Sequence, residues 1–286
     1  TWVDDLIIAT NDPNPETIKE SAIKRGYDIS LFEPINKYLG VQWNVNDTEF
    51  KFNQHEYIDS LLARTNMTDC KGVRTPMADK PAYKDTPTGK YQVIEMQYMN
   101  GEISEKEATK RRNEVFEEIR YMKNVPYRNV LGALSHLARR SRPDIQFAVF
   151  YHSRYQNDPG YLHWKGLKRI LRYLKHTRNL YTKANRDAPW LYITCDSDLG
   201  GDEDKSKSTS GLSIQMKDVP IISKSKIQRM TAKSSTEAEL IAMVEAVEES
   251  IWIKNLLLDF NIDITPVIHC DNQPAIDTIK NHKLVK

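Results

Sequence analysis

No run among the 286 residues approaches the ~20 consecutive apolar residues that span a bilayer, so no membrane-spanning helix is expected. No secretory signal opens the chain. Cysteine is scarce. Cys70, Cys195 and Cys270 are odd in number and none forms a Cys-x-x-Cys pair. That argues against a disulfide framework or a zinc site and fits a reducing, intracellular compartment. Internal repeats are lacking too. Nor does one sign of charge dominate: 41 Lys and Arg face 39 Asp and Glu, for a net charge of +2. The whole chain is therefore no polycation. With 40% hydrophobic and 28% charged residues it reads as an ordinary globular chain, long enough for about two domains.

The placement of charge is more informative than its sum. Between 139 and 178 stand Arg139, Arg140, Arg142, Arg154, Lys165, Lys168, Arg169, Arg172, Lys175 and Arg178, against only Asp144 and Asp158. In the last helical stretch Trp164, Leu167, Leu171 and Leu174 share one face and the lysines and arginines another. A plain solvated face would give the same stripe. The interleaved Tyr151, Tyr155, His163 and Tyr173 favour contact with a nucleic-acid backbone.

The periodicities predict an α+β chain with an α/β final part. Residues 2–10 place two acids before an apolar run, as in a hairpin turn feeding a buried strand. Strands are expected over 38–43 and 48–52, and a helix over 54–66 with Tyr57, Ile58, Leu61 and Leu62 on one face. Residues 69–90 have the composition of a linker, with Pro76, Pro81, Pro87 and Gly89. Ser104 and Glu107 form a capping-box pattern ahead of a stripe of Ala108, Val115, Ile119 and Met122. Residues 127–180 are helical in pattern. From 190 the order becomes β-β-β-α-β-α, with a long helix from about Ser235 to Phe260 whose cap candidates are Ser234 with Glu237 and Thr236 with Glu239. The expected units are 1–68, 69–126, 127–185 and 186–286.

Phosphodiester chemistry with metals needs several carboxylates converging on one point, because hard divalent cations take oxygen ligands. Asp196 ends the first strand of the last unit, Asp271 ends the fourth, and Glu239 lies one turn into the long helix. Each has a plainer explanation. Asp271 could be only a helix cap and Glu239 only a first-turn acid favoured by the helix dipole. Taken together in this element order, they favour a metal site.

The motifs around these acids resemble the RNase H domain of copia-type retrotransposon polyproteins. Cys195-Asp196-Ser197-Asp198-Leu199-Gly200-Gly201-Asp202 followed by Ser206-Lys207-Ser208-Thr209-Ser210-Gly211 resembles its first block. Ser234-Ser235-Thr236-Glu237-Ala238-Glu239-Leu240 and Cys270-Asp271-Asn272-Gln273-Pro274-Ala275-Ile276 resemble the next two. Upstream, Trp2-Val3-Asp4-Asp5 resembles the Tyr-Val-Asp-Asp turn of a polymerase palm, and Tyr38-Leu39-Gly40-Val41 the primer-grip hairpin. Arg74-Thr75-Pro76-Met77, Arg142-Pro143-Asp144-Ile145 and Leu171-Arg172-Tyr173-Leu174-Lys175 resemble the segment joining the two enzymes.

The resemblance implies a reverse-transcriptase palm and thumb piece, a basic helical connection and an RNase H-like sheet. It implies Mg2+ (or Mn2+) at Asp196, Glu239 and Asp271, and at Asp4 and Asp5. Glu237, two residues before Glu239, ranks below it. The implied partners are an RNA–DNA hybrid, a template-primer and the rest of the Pol polyprotein, in the cytoplasm within a virus-like particle or in the nucleus. Arg139, Arg140, Arg142, Lys165, Lys168, Arg169, Arg172 and Lys175 would grip the nucleic acid.

The chain departs from the family pattern in three places. Trp2 replaces the usual Tyr. The first polymerase Asp would lie before Thr1, so no DNA synthesis is expected from this chain alone. The fourth RNase H acid and the last helix would lie beyond Lys286, so weak or no cleavage and some exposed apolar surface are expected. The competing reading is a nucleic-acid-binding chain without catalysis.

Overall fold

The computed structural model describes every residue except 1–6, 9, 11–13, 30–32, 47–48, 203, 205 and 282–286. The expected turn at Asp4 and Asp5 lies outside the described residues. The fold is mixed α and β, with helices and two four-stranded sheets.

After helix α1 (Glu16–Lys24) comes a hairpin of β1 (Lys37–Tyr38) and β2 (Val41–Val45). The single strand expected over 38–43 is broken here. Leu39 and Gly40 both take positive φ, 48° and 75°, which makes a tight hairpin turn that glycine eases. β2 pairs antiparallel with β3 (Phe50–Asn53), and Trp43, Phe50 and Phe52 cluster on this sheet. The fourth strand, β4 (Thr182–Lys183), arrives from far along the chain to pair with β3.

Helix α2 (His55–Arg64) buries Ile58, Leu61 and Leu62, as its spacing predicts. The segment expected to be a linker is more structured than its prolines imply. A 3-10 turn at Tyr83–Asp85 leads into α3 (Pro87–Met99). Pro87 opens that helix where a missing N–H costs nothing, and the Thr86 hydroxyl accepts from the Gly89 amide at 3.0 Å. α4 (Glu105–Met122) starts at the predicted cap, with Ser104 Oγ accepting from the Glu107 amide. The two helices share a small core of Ile94, Ala108 and Val115, flanked by the Arg112–Glu95 and Lys90–Glu118 ion pairs.

Helices α5 (Tyr127–Arg140), α6 (Gln146–Ser153) and α7 (Tyr161–His176) follow. Leu134, Leu137, Leu167, Ile170, Leu171 and Leu174 are fully buried among them, each worth roughly 1.5–3 kcal/mol. The same core takes in Ile58, Leu61 and Leu62 of α2. Packing thus joins the expected units 1–68 and 127–185.

The last part has the expected element order: β5 (Tyr192–Asp202), β6 (Lys207–Met216), β7 (Val219–Ile227), α8 (Ser235–Asp259), β8 (Ile268–His269) and α9 (Gln273–Lys280). The sheet order is β7-β6-β5-β8, antiparallel except for the parallel β5–β8 pair. Ile193, Cys195, Leu212 and Ile214 pack against Ala242, Ala246 and Ile253 of α8. The outer side of α8 leaves Val244, Val247, Ile251 and Trp252 exposed. Among the described residues no helix is long and apolar enough to cross a membrane.

A polar latch holds this sheet to the helices. Asp202, 1% exposed, pairs with Arg154 at 3.2 Å, and Asp204 accepts from Tyr155 Oη (2.7 Å) and the Tyr83 amide (2.9 Å). Beside it the His152 ring lies on the bare backbone of Gly166, where a Cβ would meet Cε1 at 2.1 Å. Burial pushes His152 down to about 3 and His163 down to about 4, from an ordinary 6.5.

Both histidines therefore stay neutral in the fold while the unfolded chain protonates them as pH falls below 6.5. Their contribution is fully present above that pH and is lost progressively below it. Chemical denaturation at pH 7.5 and at pH 5 should show a loss of about 2 kcal/mol per histidine at the lower pH. A stability that stays flat over this range contradicts the assignment.

Candidate metal centre and nucleic-acid interface

β5 and β8 run parallel with Ile193 opposite Ile268 and Thr194 opposite His269. Two residues further on come Asp196, which lies within β5 opposite Gly211 of β6 rather than at the strand's end as expected, and Asp271, just past the end of β8. α8 packs across β5 and turns Glu239 toward them. Glu239 is 5% exposed, and its Oε1 accepts from the Ser197 amide at 3.2 Å. The same amide donates to Asp196 Oδ1 at 2.8 Å. One N–H thus ties two of the acids together. Glu239 also belongs to a second grouping, without Asp196: Glu239, Cys270 and Asp271 each offer a ligand atom, all within 4.8 Å of one another.

The plainer explanations for these acids do not fit the geometry. The cap of α9 is Asn272, whose Oδ1 accepts from the Ala275 amide at 2.9 Å, and Asp271 is left exposed beside it. The first-turn acid of α8 is Glu237, which accepts from the Lys233 amide at 2.7 Å while Ser234 Oγ accepts from the Glu237 amide. Glu237 is therefore a cap, and Glu239 faces the other acids.

The electrostatics agree with this placement. Burial raises the Glu239 carboxyl above its ordinary value, and the nearby Asp196 and Asp271 raise it further. Such mutual repulsion is what a bound cation relieves. The three carboxylates are hard oxygen donors of the kind Mg2+ and Mn2+ take. Cys270 is the member that sequence reasoning did not place among the candidate ligands. Its Sγ lies 3.8 Å from Glu239 Oε2, and burial raises its thiol along with that of Cys195, which is pushed up to about 12. Both therefore stay as neutral thiols behind the carboxylates.

The eight basic candidates separate into two sets. Arg139 and Arg140 are exposed at the end of α5. With Arg128 they line one wall of a groove of about 680 Å3, whose opposite wall is β7 with Lys224 and Lys226. Those two lysines, not foreseen from sequence although Lys-Ser-Lys alternates along a strand, pair with Glu249 and Glu245 of α8. Lys165 is exposed, and Lys168 Nζ lies 5.7 Å and 5.8 Å from the centres of the Tyr161 and Trp164 rings.

The other set is engaged by the protein itself. Arg142 is a correction to the expected grip, because it is 2% exposed. It donates to both oxygens of Asp144 and to Thr177 O and Oγ1, tying the 3-10 turn at Pro143–Ile145 to the end of α7. Arg169, Arg172 and Lys175 donate to Thr75 Oγ1, Lys71 O and Thr68 O, so they clasp the segment running over α7. Arg142→Ala should cost about 3 kcal/mol, because it strands a partly buried carboxylate. Equilibrium unfolding that shows no loss contradicts this role.

Comparison with known proteins adds the context. Residues 1–79 match the family described as reverse transcriptase (RNA-dependent DNA polymerase). The chain is 32% identical over 285 residues to the retrovirus-related Pol polyprotein from transposon TNT 1-94 of Nicotiana tabacum, covering 98% of this chain and 20% of that protein. It is 33% identical over 278 residues to that from transposon RE1 of Arabidopsis thaliana, covering 96% of this chain and 17% of that protein. The chain thus spans about a fifth of the length of these relatives. It is also 39% identical over 133 residues, 46% of its length, to secreted RxLR effector protein 161 of Plasmopara viticola, 94% of which is covered. No solved structure matches. The likeness along nearly the whole chain, together with the reverse-transcriptase match at its start, places it in the Pol polyprotein family of copia-type retrotransposons.

Proposed function

We propose that residues 186–286 form an RNase H-like unit that hydrolyses the RNA strand of RNA–DNA hybrids, coupled in the polyprotein to the reverse transcriptase whose palm and thumb piece is residues 1–68. In this reading Asp196, Glu239 and Asp271 hold Mg2+ or Mn2+, and Asp4 and Asp5 are metal-binding acids of the polymerase. The supporting observation is the Ser197 amide shared by Asp196 and Glu239, with Asp271 beside Glu239. Asp196 and Asp271 are exposed and so present their outer oxygens to a cation. Glu239 approaches from beneath, held by the amide and by burial. Those residues would hold the paired metal ions, whose chemistry when bound would be to activate a water and to neutralise the leaving oxygen.

Phosphate and 2′-hydroxyl contacts grip such a hybrid with little sequence preference. Arg139, Arg140, Lys165 and Lys168 are the basic groups best placed for this. The segment 127–185 would then act as the basic connection between the two enzymes.

The test is a Mn2+ titration of the folded chain, followed by cleavage of a labelled hybrid. Saturable binding is expected, weakened at least about tenfold by either Asp196→Asn or Asp271→Asn. Whatever cleavage the chain supports should fall about a hundredfold in Asp196→Asn, equivalent to about 2.7 kcal/mol of barrier. Equal Mn2+ binding by the wild type and both variants sinks the proposal.

A further inference from the structure

The segment from Thr68 to Lys80 crosses over α7 as a strap. Lys175, Arg172 and Arg169 hold it through Thr68 O, Lys71 O and Thr75 Oγ1 at 2.5, 2.7 and 2.8 Å. Where the strap leaves the helix it roofs a cavity of about 220 Å3. Lys80, Lys165, Arg169 and Arg172 line it, against Asp79 and Asp85. Asp85 is already used, since its Oδ2 accepts from the Ala82 amide at 2.8 Å. Asp79 is exposed.

Two buried nitrogen atoms of residues lining this cavity have no partner among the described residues. Arg169 is fixed to the strap through Nη2, yet its Nε is buried without an acceptor. His152, 1% exposed, lines the cavity with its Nδ1 likewise unpartnered. A buried donor left without an acceptor costs about 1–3 kcal/mol, and more when charged, so such groups call for an explanation. Lys165 is exposed and forms no ion pair among the described residues. A concave site with an excess of cations concentrates anions. A guanidinium edge held by its neighbours matches a tetrahedral oxyanion. The volume falls below the ~300–1,000 Å3 of sites that hold drug-sized ligands, so one small group fits rather than a whole nucleotide.

We propose that the pocket between the strap and α7 binds a single phosphoryl group, with Arg169 Nε and Lys165 Nζ as its direct donors. The group comes from a nucleic-acid strand or is free phosphate. The pocket is separate from the carboxylate centre and needs no metal.

The test is calorimetric titration of the chain in EDTA with inorganic phosphate, and with one oligodeoxynucleotide carrying a 5′-phosphate or a 5′-hydroxyl. Saturable phosphate binding is expected. Lys165→Gln and Arg169→Lys should each weaken it about tenfold, the worth of one charge-assisted hydrogen bond. Arg169→Lys keeps the charge but removes Nε along with the single Nη2 bond to Thr75, and Lys165 makes no ion pair among the described residues, so circular dichroism should match the wild type and Lys165→Gln tests the pocket with the strap bonds intact. Tighter binding of the 5′-phosphorylated strand supports the pocket with a strand end as source. Equal strand binding competed by free phosphate supports it with an internal phosphodiester as source. Strands that bind no better than free phosphate support it with free phosphate as source. Absence of saturable phosphate binding, or binding unchanged in both variants, overturns it.

Discussion

Two residue pairs between neighbouring strands decide where the acids of the last unit can gather. Ile193 pairs with Ile268 and Thr194 with His269, parallel and in step. Because both strands run the same way, the residues that follow these pairs head in the same direction, those of β5 still within the strand and those of β8 just past its end. Cys195 and Cys270 come next, then Asp196 and Asp271. A slip of one residue would send the second acid to the opposite face, since side chains alternate along a strand. The register is fixed by burial of Ile193 and Cys195 against Ala242 and Ala246 of α8. The packing that seats α8 also carries Glu239 onto the Ser197 amide. Core packing and the convergence of acids are thus consequences of one arrangement.

The basic residues show how charge serves two ends in one helix. α7 buries Leu167, Leu171 and Leu174 and presents Arg169, Arg172 and Lys175 to the strap above it. Those bonds go to carbonyl and hydroxyl oxygens, which leave the positive charge without a counterion. The side chains organise the strap and still contribute their field to an anion. Arg142 and Arg154 differ, because Asp144 and Asp202 neutralise them within the fold. A stripe counted from sequence therefore overstates the free charge while locating the positive region.

Much of the arrangement was legible in the sequence where one local rule decided the outcome. Ser104 and Ser234 cap the helices they precede, and the stripe of Ala108, Val115 and Met122 is buried. The element order after residue 190 follows from alternation and caps. Residues 69–90 were misread because proline marks both linkers and helix starts, and only packing of α3 on α4 separates the two. The 38–43 strand was misread because a hairpin turn through Leu39 and Gly40 keeps the apolar pattern of a continuous strand. Arg142 was misassigned because its partner Thr177 lies far along the chain. The approach of Cys270 to Glu239 likewise depends on a long-range contact that no local pattern encodes.

The central claim is that Asp196, Glu239 and Asp271 form one cation site. Anomalous diffraction from crystals of the chain soaked in Mn2+ tests it directly. The account predicts a manganese peak within about 2.5 Å of an oxygen from each of the three carboxylates. Manganese bound elsewhere on the molecule, with no peak among these acids, would contradict it.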